Sequence, residues 1–293
     1  GNSEPFRFTD EQAGRELETD AIRARIEASI LNLSPETEAL KPKEISPKVY
    51  RVELENATVL RARVIVPLSG SAAAQENAAL AAVQFQGVRI EPGESLSFNQ
   101  TVGMRTEESG YTAAEEPAYG QNIVGVGGGV CQVSTALYRL ALLGGLEIAE
   151  RSAAVYPVDY CEIGQEAAVS DQGLDLVLTN NTDAPLFLVV RVYAENDDQT
   201  MEWQLIGKEN ESRFSLVSEV ETINAPEEPV YVRDSEGRYA TYADERIPVS
   251  EARPGYRATV SLVDENGETV RVVSEDTYDA MAQIVYVGVQ QRN

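Results

Sequence analysis

The sequence predicts an α+β protein: a central unit of antiparallel strands with a cysteine-bearing helix packed on them, an N-terminal α+β unit before it and a mostly β domain after it. The first observation is a glycine run that leads through a cysteine into a helix, residues 125–145, GVGGGVCQVSTALYRLALLGG. Within it Val133, Leu137, Leu140 and Ala141 form one apolar stripe at i, i+4, i+7 and i+8. The second is a series of short alternating segments near 146–151, 155–161, 174–180, 185–193 and 201–206, punctuated by Asn180-Asn181-Thr182-Asp183 and Asn196-Asp197-Asp198. The third is the loss of helix signals beyond Pro226-Glu227-Glu228-Pro229. With 293 residues the chain fits two or three domains. The boundaries read as 1–88, 89–207, a linker at 208–229, and 230–293.

In the first of these, Thr9-Asp10-Glu11-Gln12 has capping-box spacing, and Ile22, Ile26 and Ile30 predict a helix over 20–33 with Thr19 or Asp20 as cap. Pro42 and Pro47 mark a connection, after which KVYRVELEN and TVLRARVIVPL alternate as two strands. Residues 71–87 are alanine-rich and helical. The central unit opens with a turn at Pro92-Gly93-Glu94 and a short strand at 96–99. A polar loop from Gly110-Tyr111 to Gly125 follows, containing Glu115-Glu116-Pro117 and Tyr119-Gly120, and it is placed to line a cleft. In the last domain YRATVSLV, ETVRVVS and QIVYVGV read as strands, with a hairpin turn at Asp264-Glu265-Asn266-Gly267.

Forty-eight acidic residues against 24 basic ones give a net charge of −24, which repels nucleic-acid phosphates and argues against that partner. There is no histidine and there are two cysteines, so a metal site has too few soft ligands and no organic cofactor is implied. Apolar runs fall short of the roughly 18 residues that a membrane span needs.

The glycines before Cys131 carry the chemistry. Gly127, Gly128 and Gly129 permit a tight turn with positive φ, and Cys131 then falls at the helix start. The positive end of the helix dipole stabilises a thiolate there, and amides of the turn could hold an oxyanion. Gln132, Ser134 and Thr135 add polar groups in the first turn, Tyr111 stands in the loop ahead, and Gly144-Gly145 supplies a left-handed end. The plain alternative is that Cys131 is a small buried apolar residue. Cys161, with no motif around it, reads as a packing residue.

The stretches PGESLSFNQTVGMRTEESGYTAAEE, GGGVCQVSTALYRLALLGGLEIAER, YPVDY and GLDLVLTNNTDAPL resemble the VanW family of bacterial cell-envelope proteins. The resemblance implies L,D-transpeptidase-like acyl transfer on peptidoglycan with Cys131 as nucleophile, and stem peptides or glycan as partners. It also implies an extracellular location, at the outer face of the cytoplasmic membrane or in the wall. Gly1 in place of methionine suggests a signal or anchor outside this sequence. The N-terminal segment FRFTDEQAGRELETDAI is similar to a peptidoglycan-binding module, and the C-terminal domain resembles small glycine-marked β modules of cell-wall enzymes.

Two positions depart from the family pattern. Ala154 stands where a histidine is expected after Glu150-Arg151, and Gly164-Gln165-Glu166-Ala167 replaces G-x-D-A. Without an imidazole, Glu150, Arg151, Asp159 and Tyr160 are the candidate bases or thiolate partners. A groove that binds wall peptides or a glycopeptide antibiotic without chemistry, and a structural envelope protein, are the competing readings.

Overall fold

The structure is a computed structural model that describes residues 6–33, 42–118, 121–195, 198–210 and 213–292. Its compact units divide between Val59 and Leu60. Gly1, Tyr119-Gly120 and part of the turn at Asn196-Asp197-Asp198 lie outside the described residues.

In the first unit β1 (Gly14–Glu16) pairs antiparallel with β2 (Lys43–Ile45) across α1 (Thr19–Leu31), and α2 (Arg51–Asn56) follows. The expected helix is α1, preceded by Glu18 rather than capped by Thr19 or Asp20, and Ile26 and Ile30 are exposed. No helix forms at the capping-box spacing of residues 9–12. The first expected strand, KVYRVELEN, is instead α2. Glu53 Oε2 accepts from the Tyr50 N–H at 3.2 Å and Arg51 bonds Glu55 at 2.6 Å, local contacts that favour a helix over alternation.

The second unit begins with β3 (Val59–Pro67), α3 (Ala72–Val83), β4 (Arg89–Ile90), β5 (Ser95–Ser97) and α4 (Phe98–Val102). The strand expected over 96–99 ends early because the Ser97 hydroxyl accepts from Gln100 N at 3.1 Å and caps α4. The polar loop is an antiparallel hairpin of β6 (Ala113–Ala118) and β7 (Gln121–Val126), leading into α5 (Cys131–Gly144). β8 (Glu147–Glu150), β9 (Val177–Thr179), β10 (Leu186–Glu195) and β11 (Asp198–Gly207) complete the central unit. Residues 155–161 form no strand. Pro157 lacks the N–H that a ladder needs, and the chain bends to bring Tyr160 back to Thr135.

The sheet β3-β11-β10-β4 carries α3 and α5, and β5-β9-β8 lies beside it. β3 and α3 thus belong with the central strands, so the compact unit starts ahead of residue 89. At the centre Trp203, fully buried, packs on Phe85 with ring centroids 5.4 Å apart, and Phe85 on Phe98 at 5.2 Å. Gly144 has no side chain because a Cβ there would come within 2.3 Å of Leu205 Cδ2.

Beyond Gly207, β12 (Ser215–Asn224) occupies the expected linker, then β13 (Val230–Asp234), β14 (Arg246–Pro248), β15 (Gly255–Val263), β16 (Thr269–Tyr278) and β17 (Ile284–Gly288) follow. They make two sheets, β12-β15-β16 and β13-β17-β14, the latter with a parallel β13–β17 pair. The expected hairpin turn joins β15 to β16, with Asp264 Oδ1 accepting from the Asn266 and Glu268 amides.

Trp203→Ala should destabilise the second unit by about 3–5 kcal/mol, as large aromatic truncations in a packed core do. Thermal unfolding followed by far-ultraviolet circular dichroism measures it.

Candidate functional site

Cys131 is the first residue of α5, half-buried, and its Sγ lies 3.5 Å from the Val169 carbonyl oxygen. Neither Cys131 nor Cys161 is in a disulfide. The turn ahead of the helix has little room. Gly129 adopts φ +100°, and a Cβ on it would sit 2.2 Å from the Ala74 carbonyl oxygen of α3. Gly127 has φ +88°, and its missing Cβ would lie 2.8 Å from Arg105 Cβ. Asn77 of α3 ties the turn down: its Nδ2 donates to Gly128 O at 3.0 Å and Thr112 O at 2.9 Å, while its Oδ1 accepts from Thr112 N at 2.9 Å. Arg105 is buried against the same turn and is held by Asp171 and Asn99.

The polar residues of the first turn face inward. Gln132 accepts from the Ser69 N–H at 2.8 Å and returns a bond to Ser69 O at 3.1 Å. Ser134 Oγ donates to Ala167 O at 2.6 Å, and Thr135 Oγ1 accepts from Ala167 N at 3.1 Å. The amides of Gln132, Val133 and Ser134 bond to the carbonyls of Gly129 and Val130. The amides of Gly128 and Gly129 make no described hydrogen bond. Tyr111 is buried near Arg105 and Asp171, and burial raises its phenol above the ordinary range.

Of the candidate proton-handling residues, the structure brings one to the thiol. Tyr160 is hydrogen-bonded to Thr135 beside Cys131 and Cys161. Burial, then the two sulfurs, hold its phenol well above the ordinary value, so it stays protonated at neutral pH and does not serve as a base. Arg151 is engaged elsewhere: Nε donates to Glu166 O at 2.8 Å, Nη1 to Asp276 Oδ2 at 2.6 Å, and the guanidinium lies over the Tyr138 ring at 5.3 Å. Asp159 is exposed and pairs with Arg253 at 3.2 Å, and Glu150 is exposed on β8. Burial, then the Glu166 carboxylate, push the Cys161 thiol up to about 12, which makes it inert at neutral pH.

Ala154, at the expected histidine position, donates its N–H to Glu166 Oε1 at 3.4 Å. The Glu166 carboxylate is fully buried and accepts from Gly164 N at 3.1 Å and from Tyr278 Oη at 2.5 Å. Sequence reading missed Asn77, Arg105, Glu166 and Tyr278 as parts of this surrounding. The substituted G-x-D-A position was the one signal that pointed at Glu166. A cleft of about 750 Å³ opens at the other end of α5, lined by Tyr138, Leu146, Glu150, Arg151, Val273 and Glu275, and Cys131 does not line it.

Residues 73–204 match the family model described as VanW like protein. The uncharacterized protein YoaR of Bacillus subtilis (strain 168) is 35% identical over 125 residues, 43% of this chain and 41% of that protein. The vancomycin B-type resistance protein VanW of Enterococcus faecalis (strain ATCC 700802 / V583) is 28% identical over 180 residues, 59% of this chain and 61% of that protein. The chain therefore spans less than two thirds of either relative. The crystal structure of HP0197-G5 aligns with 27% of this chain and 100% of its own at 15% identity and a TM-score of 0.14, too low a likeness to carry an argument.

Asn77→Ala should leave the Thr112 amide without its buried acceptor and cost about 1–3 kcal/mol. The same change should free the turn, visible as faster amide hydrogen exchange at Gly127 and Val130, its hydrogen-bonded amides, than in the wild type.

Proposed function

The chain belongs to the VanW family through residues 73–204, and from that premise we propose that it is a cell-envelope protein that carries out cysteine-dependent, L,D-transpeptidase-like acyl transfer on peptidoglycan. Cys131 is the nucleophile. Its sulfur attacks the carbonyl carbon of a donor stem peptide, a C–S bond forms as the amide C–N bond breaks, and the thiol proton leaves on the departing amine. An acceptor amine then attacks the thioester, a new C–N bond forms, and the amine's proton returns to sulfur as the C–S bond breaks. In this cycle each proton taken from one group is delivered to another, so no net base is consumed.

The observation that supports the reading best is the placement of Cys131 as the first residue of α5 behind a turn that glycine alone can make. The helix terminus favours the thiolate, the amides of Gly128 and Gly129 are the oxyanion donors in this scheme, and the Tyr160 phenol donates to the charge that develops. The expectation that Gln132, Ser134 and Thr135 position substrate gives way to an internal role, since their side chains hold Ser69 and Ala167. The name of the Enterococcus faecalis relative supports an association with vancomycin resistance. An extracellular location follows from the same family reading, and no helix of the described residues is long and apolar enough to cross a membrane.

One observation favours a second reading. The chain has no histidine, and Ala154 occupies the position where the family pattern carries one. A protein that binds wall peptides or a glycopeptide antibiotic in the same place, without turnover, would need no proton acceptor.

Iodoacetamide alkylation across pH, followed by intact mass, separates the two. Acyl transfer predicts that Cys131 reacts with a midpoint below the ordinary thiol value of about 8.5, that Cys161 stays unmodified until far higher pH, and that stem tetrapeptides leave a thioester adduct lost in Cys131→Ala. A Cys131 that titrates as an ordinary thiol and forms no adduct would overturn it in favour of the binding reading.

A further inference from the structure

The segment 164–169 is fastened on both sides. Toward the cysteine helix, Ala167 O and Ala167 N hold Ser134 and Thr135, and Val169 O meets Cys131 Sγ. Toward the C-terminal sheet, β12 and β16 bond to it and β15 lies against it. Gln165 Nε2 donates to Ser218 Oγ of β12 at 3.0 Å. Gly164, at φ +94°, lies so close to β15 that a Cβ would come within 2.7 Å of Val260 Cγ2. From β16, Tyr278 Oη donates to Glu166 Oε1, and Asp276 holds the Arg151 guanidinium, which in turn grips Glu166 O and Gly164 O.

A loop tied only to its own domain would need none of the second set of contacts. Gln165 and Glu166 are both buried polar residues spent on the C-terminal sheet, and Gly164 is required there sterically. Backbone of the same short segment fixes three residues in the first turn of α5. Glu166 and Ala167 are adjacent in the chain, so a displacement of the backbone at Glu166 carries Ala167 with it, and Ala167 is bonded to Ser134 and Thr135.

We propose that Tyr278, with Asp276 beside it, is a positioning residue for Cys131: the C-terminal sheet, through the 164–169 strap, sets the surroundings of the thiol. This rests on the proposed cysteine chemistry for its purpose, though the coupling itself can be measured without it. The ionisable groups that feel Glu166 include Arg151, which Asp276 holds, Tyr160, Cys161, Tyr138 and Tyr278, and Tyr160 also lies beside Cys131. Removing the Tyr278 hydroxyl removes the hydrogen bond that ties Glu166 to β16. A strap held less firmly fixes the start of α5 less firmly, so the thiol gains less from the helix terminus and the midpoint of Cys131 ionisation should rise toward the ordinary thiol value.

The test compares the pH profile of Cys131 alkylation in the whole chain with that of Tyr278→Phe, Asp276→Asn and Val285→Ala. The last opens a cavity in the other C-terminal sheet, away from the strap. The expected result is a rise of about 0.5–1 pH unit in Tyr278→Phe, a three- to ten-fold fall in rate at a fixed pH below the midpoint. Asp276→Asn, the second reporter should Tyr278→Phe not fold, should move the profile in the same direction. Val285→Ala should lower the melting temperature and leave the profile in place.

Profiles that superimpose on the wild type in both strap variants overturn the proposal, as does a Val285→Ala shift equal to theirs, which would reduce the effect to general destabilisation. A wild-type Cys131 that titrates as an ordinary thiol counts against acyl transfer alone. The difference between wild type and Tyr278→Phe still decides the coupling.

Discussion

The carbonyl oxygen of Ala74 lies where a side chain on Gly129 would have to be. That approach fixes how closely α3 and the glycine turn can meet, and the start of α5 follows from it. Asn77, one helical turn on from Ala74, bonds the carbonyl of Gly128 and both backbone groups of Thr112, so the hairpin strand β6 and the turn are anchored to one side chain. Arg105 fills the space left open by Gly127 and carries its own charge into the interior, where Asp171 neutralises it. Cys131 owes its place to this stack of backbone against backbone more than to any contact of its own.

The first turn of α5 shows how little of a polar sequence need face a ligand. Gln132, Ser134 and Thr135 each satisfy backbone groups of a neighbouring segment, which is what buried hydroxyls and amides must do to avoid a desolvation cost of about 1–3 kcal/mol apiece. In the proposed scheme the groups left to act on a substrate are main-chain amides and a phenol. Such groups change neither charge nor protonation near neutral pH, so they suit the stabilisation of an anion and not the removal of a proton.

Much of the architecture was legible in residue order. The apolar stripe of α5, the alanine-rich α3, the long alternations of β10, β11, β15 and β16, and the Gly145 end with φ +78° follow from local rules. Where local contacts competed with alternation, pattern misled. Residues 51–56 alternate, yet the Tyr50–Glu53 and Arg51–Glu55 bonds make a helix of them. Cys131 could be found because glycine, cysteine and helix are adjacent in sequence. Asn77, Arg105 and Tyr278 could not, since they approach the site across separations of about 30 to 150 residues that no short motif spans. The hydrophobic pattern also places α3 in a lead-in domain as readily as in the central one. Its packing on β10 and its contact with the glycine turn decide.

Trp203 is the one tryptophan of the chain, fully buried and packed against Phe85, the two rings inclined at 56°, beneath the cysteine helix. Its emission is thus an intrinsic reporter confined to the unit that carries Cys131. Residues 6–33 and 42–59 contain no indole, so their unfolding is dark at excitation wavelengths selective for tryptophan. The wild-type protein thereby distinguishes melting of the thiol-bearing unit from events in the other without any introduced fluorophore.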